Sequence, residues 1–242
     1  MFHSDIEIQE GAIFIADAHY AASKPALKEF LEKIASKELD PPQLFLMGDI
    51  FDALFGGVPY TKTKVSEVVT LINFIATQIE VIYLEGNHDF RLHHYFKNIT
   101  IFPIEQQPVE LRTKNKTIWL AHGDFDAPFG YRLYTKLIRN PLILYFLNIY
   151  DSLTNHSILN FVDNHMSKKE ECRELEWFDA FVKERSKRLQ CDVYVDGHFH
   201  QNKNYTLDNL KYINLGAFAC NQRYFVVEFV QDEIIFKEYS AL

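Results

Sequence analysis

The sequence predicts a layered α/β domain, and three observations lead to this fold class. The first half of the chain alternates short apolar runs with amphipathic helical segments, and its last part is rich in strand-like runs. Each of five apolar runs ends in a short polar loop that carries Asp, Asn or His. At 242 residues the chain is long enough for one large domain or two small ones. The pattern fits either one mixed sheet or two packed sheets.

The individual elements follow from the positions of the apolar residues. Five buried strands are predicted at residues 12–16, 43–47, 81–84, 117–121 and 193–195. Helices are predicted at 25–36 and 64–79, where apolar residues recur at helical spacing. Further strands are predicted at 212–215, 224–230 and 233–239, the last two as a hairpin. Because no linker rich in Pro, Gly or Ser divides the chain, we expect a single domain over residues 1–242.

A long segment from about residue 126 to residue 190 interrupts this alternation. It has a helical pattern and lies between two strands that end in polar loops, so we interpret it as an inserted helical cap. The stretch from Pro141 to Tyr150 is almost wholly apolar, and at about ten residues it is too short to span a bilayer. Two interpretations stay open: a buried cap helix, or a lid for acyl chains that rests on a membrane surface.

Composition and charge restrict the classes of function. Hydrophobic residues make up 48% of the chain and charged residues 24%, which is ordinary for a soluble globular protein. The formal net charge of −8 argues against nucleic acid as a partner, because binding a polyanion rests on a basic surface. Cys172, Cys191 and Cys220 show no metal-binding spacing, which favours a reducing compartment. Since the N-terminus carries no apolar signal segment, we expect a cytoplasmic protein.

Five short motifs follow the predicted strands. In chain order they are Asp17-Ala18-His19, Gly48-Asp49-Ile50-Phe51-Asp52, Gly86-Asn87-His88-Asp89, His122-Gly123-Asp124 and Gly197-His198-Phe199-His200. In α/β sheets ligands gather beyond the carboxyl ends of the strands, so we expect these loops to converge on one site. The D-x-H and H-x-H spacings place both side chains on the same side of an extended segment, and the glycines let the backbone approach closely.

Carboxylate, amide and imidazole groups at one site indicate a pair of divalent metal ions. Imidazole and carboxylate together suit manganese, iron, zinc or cobalt. Two ions about 3.5–4 Å apart can acidify a water and neutralise phosphoryl charge, which are the two demands of phosphate-ester hydrolysis. A single histidine is more often structural, but five of the ten histidines fall in these motifs. The set therefore predicts hydrolysis of a phosphate ester or anhydride.

The order D-x-H, G-D-x-x-D, G-N-H-D, H-G-D and G-H-x-H resembles the calcineurin-like metallophosphoesterase superfamily, over residues 17 to 200. The resemblance implies a sandwich of two mixed β-sheets flanked by helices. It also implies two metal sites that share one bridging carboxylate, Asp49. One ion would be held by Asp17, His19, Asp49 and His200, and the other by Asp49, Asn87, His122 and His198. Manganese is the favoured ion, with iron, zinc, cobalt or magnesium as alternatives.

The resemblance assigns catalysis to His88 and Asp52. His88 would lie beside the metal ions without binding one, and would donate to the phosphoryl or leaving-group oxygen. Asp52 would orient His88 and raise its pKa, which is the ordinary effect of a carboxylate on an imidazole.

The cap is similar to that of the UDP-2,3-diacylglucosamine diphosphatases of lipid A synthesis. The similarity rests on the string GNHDF at 86–90, on Gly130-Tyr131 followed by basic residues and a proline, and on the string SKKE at 167–170. It implies that Asn87 and Tyr131 contact the substrate, with Lys168 or Lys169 as a further contact. The partner would be a lipid-linked nucleotide, cleaved to UMP and 2,3-diacylglucosamine 1-phosphate at the cytoplasmic face of the inner membrane.

Basic residues of the cap segment, among them Arg132, Lys136, Arg139 and Arg185, are expected to lie mostly on solvated helix faces. A few of them near the site would be able to hold a pyrophosphate or anionic headgroups.

Two alternatives to the lipid substrate stay open. The diphosphatase family commonly has Arg where this chain has His88, and it tends to have Glu at the position of Asp52. A generic phosphodiesterase or phosphatase that acts on a soluble nucleotide or phosphoester is therefore the enzymatic alternative. The other alternative is a binding scaffold without activity, which is disfavoured because the motifs lack none of the expected ligands. The sequence leaves the oligomeric state open.

Overall fold

The computed structural model, which describes residues 2–113, 116–166, 170, 172–231 and 233–241, consists of β-sheets flanked by helices. Its strands in chain order are β1 (Phe2–His3), β2 (Ile13–Ile15), β3 (Gln43–Leu46), β4 (Leu54–Phe55), β5 (Glu80–Leu84), β6 (Asp89–Phe90), β7 (Thr100–Phe102), β8 (Val109–Thr113), β9 (Lys116–Leu120), β10 (Val193–Asp196), β11 (Lys203–Leu207), β12 (Leu210–Asn214), β13 (Arg223–Val230) and β14 (Glu233–Ser240). Its α-helices are α1 (Ala26–Ala35), α2 (Pro59–Ile75), α3 (Phe129–Ile138), α4 (Pro141–Leu153), α5 (Ser157–Met166), α6 (Phe178–Ser186) and α7 (Phe218–Asn221). Short 3-10 helices cover Leu92–His94 and Ile104–Gln106.

The strands form two six-stranded mixed sheets and a small two-stranded ribbon of β4 and β6. The first sheet has the order β14-β13-β2-β3-β5-β7, in which β2, β3, β5 and β7 run parallel and β13 joins β2 in antiparallel fashion. The second has the order β1-β8-β9-β10-β12-β11, parallel from β9 through β12 and antiparallel at β8-β9 and β11-β12. The predicted α/β fold with two mixed sheets flanked by helices is confirmed.

An apolar layer between the two sheets forms the central core. Phe14 and Phe45 of the first sheet stack at a centroid distance of 4.2 Å, and they belong to the same buried cluster as Ile118 and Val195 of the second sheet. Burial of each such side chain contributes roughly 1.5–3 kcal/mol to the stability of the fold. The outer face of the first sheet is covered by α1, whose Leu27, Phe30, Leu31 and Ile34 follow the i, i+3, i+4, i+7 spacing of a buried helix stripe.

Helix α6 covers the outer face of the second sheet. Its Phe178 and Val182 are fully buried in one cluster with Trp119, Tyr194 and Tyr212 of the sheet. Although α6 lies within the segment predicted to be a cap, residues 126 to 190, its packing makes it part of the sandwich. The helices α3, α4 and α5 remain, and we call these three the cap helices.

The cap helices expose a large apolar surface. In α4 only Leu144 and Asp151 are buried, so the alternative of a buried cap helix does not hold. The most exposed apolar side chains of the three helices are Phe129, Tyr134, Leu142, Tyr145, Phe146, Leu153 and Phe161. No helix within the described residues is long and apolar enough to cross a bilayer.

A disulfide joins Cys172, in the segment after the cap helices, to Cys220 of α7. Such bonds form and persist mainly in oxidising compartments, so this one disagrees with the reducing compartment that the cysteine spacing favoured. The spacing had no means of revealing the pair, because the two residues are 48 positions apart and are brought together only by the fold. Cys191 is a free, half-buried thiol.

Candidate dinuclear metal centre

Two groups of metal-ligand side chains lie where the central strands end. The first ligand group is Asp17, His19 and His200, and the second is Asp49, His122 and His198. Within each group, one ligand atom from every residue lies within 4.8 Å of the others. The structure thus brings together the six carboxylate and imidazole ligands named from the sequence.

Asn87 completes the second ligand group. Its Oδ1 lies 3.3 Å from His122 Nε2, and His198 Nδ1 lies 3.0 Å from the same nitrogen. His122 Nδ1 lies 3.1 Å from the carbonyl oxygen of Met47, which accepts a hydrogen bond from it. Because this contact keeps a proton on Nδ1, Nε2 is the nitrogen of His122 that would bind a metal ion after losing its proton.

Four of the ligands adopt a left-handed backbone conformation. The φ angles are 48° at Asp17, 44° at His19, 49° at Asp49 and 58° at His200. This conformation is uncommon for residues other than glycine and tends to be retained at functional sites. Here it is held between loops, since the backbone N–H of Asp17 donates to Gly48 at 3.1 Å and that of His19 to Asp49 at 3.0 Å.

Two glycines allow the motif loops to approach the ligands. A Cβ atom at Gly86 would lie 2.2 Å from Asp49 Oδ1, and one at Gly197 would lie 2.2 Å from Asp17 Oδ2. Since real Cβ atoms do not come so close to oxygen, each position requires the absence of a side chain. From the sequence, the glycines were expected to let the backbone approach the site closely. Both distances agree with that role.

Buried polar atoms without a partner show that the first ligand group fits a cation. Asp17 Oδ2 and His19 Nε2 are both buried and have no hydrogen-bond partner. Leaving such atoms unpaired is costly in a folded protein, and a divalent ion bound by both would remove the cost. Together with the donor set of carboxylate, amide and imidazole, this indicates that the residues present fit a dinuclear centre.

Opposite charges in the second ligand group shift the pKa values of its members. Burial alone would raise the pKa of Asp49, but His122 and His88 hold it well below its ordinary value. Burial alone would lower the pKa of His122, but the facing carboxylate of Asp49 raises it well above the ordinary value. A metal ion entering this group would therefore displace a proton from His122.

The contact between Asp52 and His88 differs from the predicted one. Asp52 Oδ1 lies 3.2 Å from His19 Nδ1, and its Oδ2 lies 3.5 Å from Lys24 Nζ. His88 Nδ1 instead lies 3.1 Å from the backbone carbonyl oxygen of Asp52. The hydrogen bond between Asp52 and His88 is therefore made by the main chain of Asp52, whereas the carboxylate predicted to orient His88 contacts His19 and Lys24. The reason is that the left-handed turn at His19 places its ring beside the carboxylate.

Asp89 holds two motif loops together, a role that the sequence did not indicate. Its carboxylate accepts hydrogen bonds from the backbone N–H groups of Asp49 (3.0 Å), Ile50 (2.6 Å) and Gly86 (2.9 Å), and from the Tyr83 hydroxyl (2.6 Å). Burial and the nearby Asp49 carboxylate raise the pKa of Asp89 to about 7. In the sequence, the one feature that pointed to a role for Asp89 was its place at the end of the G-N-H-D string.

Arg185 joins the last two motif loops. It is 1% exposed, which corrects the expectation of a solvated helix face. Its Nη1 donates to Asp196 Oδ2 at 3.1 Å, and its Nη2 donates to the carbonyl oxygen of Gly123 and to Asp126 Oδ1, both at 2.7 Å. One guanidinium thus links the loop after β9 to the end of β10. In the sequence it resembled the exposed basic residues around it.

Asn214 at the end of β12 fixes the loop that carries His198 and His200. Its Nδ2 donates to Asp196 Oδ1 at 2.6 Å and to the carbonyl oxygen of Gly197 at 2.7 Å. Its Oδ1 accepts from the backbone N–H of Gln201 at 2.8 Å. The loop is therefore held on both sides of its two histidines.

A cavity of about 400 Å³ extends from the metal centre into the cap helices. Asn87 and His88 line it at the polar end, and Tyr131 lies on its wall, so the structure brings these three predicted site residues together. The rest of the wall is mainly apolar and includes Ile138, Leu144, Leu147, Leu159 and Phe161. Lys168 and Lys169, the other predicted substrate contacts, lie outside the described residues.

Comparison with known proteins shows which family the chain resembles. Residues 12–202 match the calcineurin-like phosphoesterase family. A UDP-2,3-diacylglucosamine hydrolase of Pseudomonas fluorescens is 21% identical over 195 residues, which cover 78% of this chain and 78% of the relative. A protein of the same name from Photorhabdus laumondii is 26% identical over 199 residues, with 78% and 81% covered. The solved structure of an archaeal phosphodiesterase covers 94% of this chain and 98% of its own, at 11% identity and a TM-score of 0.47.

Proposed function

Because the chain belongs to the calcineurin-like phosphoesterase family and is a metal-dependent hydrolase, we propose that it hydrolyses the pyrophosphate of UDP-2,3-diacylglucosamine. Water would add to one phosphorus atom while the bridging P–O bond breaks, which yields UMP and 2,3-diacylglucosamine 1-phosphate. The observation that carries this proposal is the apolar cavity that opens at Asn87 and His88 and extends into the cap helices. The two relatives named as hydrolases of this lipid support it.

The ligand groups would hold two divalent ions, with manganese as the favoured species, which supply charge neutralisation and an activated water. Around them the chain's own residues orient the substrate. Asn87 lies both in the second ligand group and on the cavity wall, so it is placed between the phosphate and the lipid half. His88 Nε2 lies 3.9 Å from Asp49 Oδ2 and faces the same space. In its protonated form His88 would donate a hydrogen bond to the leaving-group oxygen.

The cavity fits acyl chains by its chemistry. Its wall offers aliphatic and aromatic side chains from all three cap helices, including Ile138, Leu147 and Phe161. Each methylene group transferred from water to such a wall contributes about 0.8 kcal/mol of binding free energy. A soluble nucleotide would leave this surface without a partner.

We extend the proposal to the membrane surface, where a diacylated substrate resides. Phe146, Leu153 and Phe161 are 66%, 82% and 71% exposed on the cap helices, and Lys136 of α3 is exposed as well. Large exposed apolar patches mark interaction sites, and a neighbouring cation favours anionic headgroups. Peripheral contact through the cap helices would then bring the cavity to the lipid.

The alternative function is that of a phosphodiesterase or phosphatase for soluble phosphoesters. The observation in its favour is the pair of His88 and Asp52 at positions where the diphosphatases commonly carry Arg and Glu. The apolar cavity is the observation against it.

The deciding experiment compares UDP-2,3-diacylglucosamine in mixed micelles with bis-p-nitrophenyl phosphate as a soluble diester, using manganese-loaded protein. The double variant His122→Ala/His198→Ala serves as the inactive reference. Leu147→Arg places a charge in the cavity, and Ser152→Arg places the same charge on α4 outside it. We expect Leu147→Arg alone to raise KM for the lipid, with turnover of the soluble diester retained. Diester turnover without release of UMP from the lipid would establish the alternative.

A further inference from the structure

Arg139, the residue after α3, reaches from the cap helices to the G-N-H-D loop. It is 9% exposed, and its Nη2 donates to the carbonyl oxygen of Gly86 at 2.8 Å. Its guanidinium carbon lies 5.3 Å from the ring centroid of Phe90. These contacts fix the side chain against the G-N-H-D loop, directly beside the metal-ligand residue Asn87.

The guanidinium of Arg139 has unused hydrogen-bond donors. Both Nε and Nη1 are buried without a partner. Among the described residues, no carboxylate lies within 4.0 Å of the side chain to balance its charge. Burying a cation with unmade hydrogen bonds is unfavourable, and such groups are kept where a ligand completes them.

The residues around Arg139 belong to the apolar cavity and to the motif loops. Ile138, Phe90 and Tyr131 line the cavity, and Arg139 contacts Phe90 directly. Asp124, whose Oδ1 is also buried without a partner, interacts electrostatically with Arg139 but forms no ion pair with it within 4.0 Å. An anionic group that enters from the cavity would therefore meet a cation whose Nε and Nη1 donors are unused.

We propose that Arg139 is a substrate-binding residue whose unpaired N–H groups donate to the phosphate that faces the cap helices. A guanidinium is the side chain best suited to phosphate oxygens, because it stays charged and offers several donors in a fixed plane. This assignment rests on the proposed function in one respect only, that the phosphate belongs to the lipid half of the substrate. The contact itself requires no more than a phosphoryl group at the metal centre.

The test uses Arg139→Met and Arg139→Lys, with Arg132→Met as the matched control on the exposed side of α3. The probe is inorganic pyrophosphate, titrated calorimetrically into manganese-loaded protein, together with KM and kcat for the lipid nucleotide. We expect Arg139→Met to weaken pyrophosphate binding and raise the lipid KM roughly tenfold to hundredfold. Arg139→Lys should recover part of the loss, and Arg132→Met should match the wild type.

A purely structural role would give a different result. If Arg139 only holds Gly86, its loss would lower manganese affinity through Asn87, and pyrophosphate binding would return to the wild-type value at saturating manganese. That result, or unchanged pyrophosphate binding by both Arg139 variants, would overturn the inference. If the wild type releases no UMP from the lipid but the pyrophosphate effect persists, the proposed substrate fails and the phosphate contact stands.

Discussion

The ring of His88 is positioned by the main chain of Asp52 and not by its carboxylate. His88 Nδ1 lies 3.1 Å from the Asp52 carbonyl oxygen, whereas the Asp52 carboxylate lies 3.2 Å from His19 Nδ1. Because a carbonyl only accepts hydrogen bonds, Nδ1 of His88 carries a proton and Nε2 faces the metal centre. Two residues expected to form one acid–base pair therefore make different contacts, since the Asp52 carboxylate faces His19 and the His88 ring faces Asp49.

The first prediction concerns Asp52→Ala. Removing the carboxylate leaves His19 without its orienting partner, so affinity at the first ligand group should fall roughly tenfold to hundredfold. Turnover at saturating metal should be retained, since the carbonyl oxygen of residue 52 still accepts from His88 Nδ1. Manganese titration and kcat on the soluble diester measure both effects. Unchanged metal affinity with a lowered kcat would mean that the carboxylate acts on His88 after all.

Loss of the His88 ring should affect turnover without affecting metal binding. His88→Ala is expected to lower kcat by roughly 10²–10⁴-fold, the usual contribution of a positioned acid or base. Both ions should stay bound, because His88 belongs to neither ligand group. Metal analysis of the purified variant, beside His93→Ala as a control on an exposed ring, checks this. A variant that retains one ion would instead make His88 a metal ligand.

Close backbone approach at Gly197 gives a prediction with a control inside the same chain. A Cβ at Gly197 would lie 2.2 Å from Asp17 Oδ2, whereas one at Gly130 would meet nothing within 4 Å. Gly197→Ala should therefore displace Asp17 and abolish stoichiometric binding at the first ligand group. Gly130→Ala, within helix α3, should bind both ions and be more stable by about 0.5–1 kcal/mol. Calorimetric metal titration and thermal unfolding compare the two, and normal metal affinity in Gly197→Ala would contradict the close contact between these loops.

The two candidate ligand groups were predictable because they depend on local sequence. Apolar runs locate the strands, and parallel strands in one sheet deliver the residues after them to one edge. His122 and His198, far apart in the chain, lie 3.0 Å apart for this reason. The pairing of Asp52 with His19 was missed because it depends on a left-handed turn, which non-glycine residues seldom adopt and which no pattern in the sequence marks.

Contacts that depend on tertiary packing were not predictable from patterns. In the sequence, Arg185 and the exposed Lys183 both have the pattern of basic residues on a helix surface. Only the packing of α6 on the sheet buries Arg185. The assignment of α6 to the cap failed for the same reason. The disulfide between Cys172 and Cys220 likewise joins segments that only the fold brings together.

Arg185 should be essential for stability. Arg185→Met leaves Asp196 buried without its ion-pair partner, which typically lowers the free energy of unfolding by about 3–5 kcal/mol. Lys183→Met, on an exposed face of the same helix, should change it by less than about 0.5 kcal/mol. Denaturant unfolding of the metal-free proteins measures both values. Equal midpoints for the two variants would show that the buried ion pair adds nothing to stability.

The thiols offer a prediction about pH and oxidation state. Burial, followed by the charge of Asp192, raises the pKa of Cys191 to about 12. Because the thiolate is the reactive form and increases as pH rises towards the pKa, only about 10⁻⁴ of Cys191 is reactive at pH 8. Its labelling rate should then rise about tenfold for each pH unit between 8 and 11. Ellman's reagent measures the rate of labelling. The variant Cys191→Ser is the control, because it should lack the slow labelling of this thiol.

In the same assay at pH 8, protein purified without reductant should show no rapidly reacting thiol, because Cys172 and Cys220 are joined. Brief reduction should release two fast thiols, since Cys172 is exposed and Cys220 is partly so. The Cys191→Ser variant should release the same two fast thiols after reduction. Rapid reaction of Cys172 and Cys220 before reduction would mean that the bond does not form, and the reducing compartment expected from the sequence would then regain support.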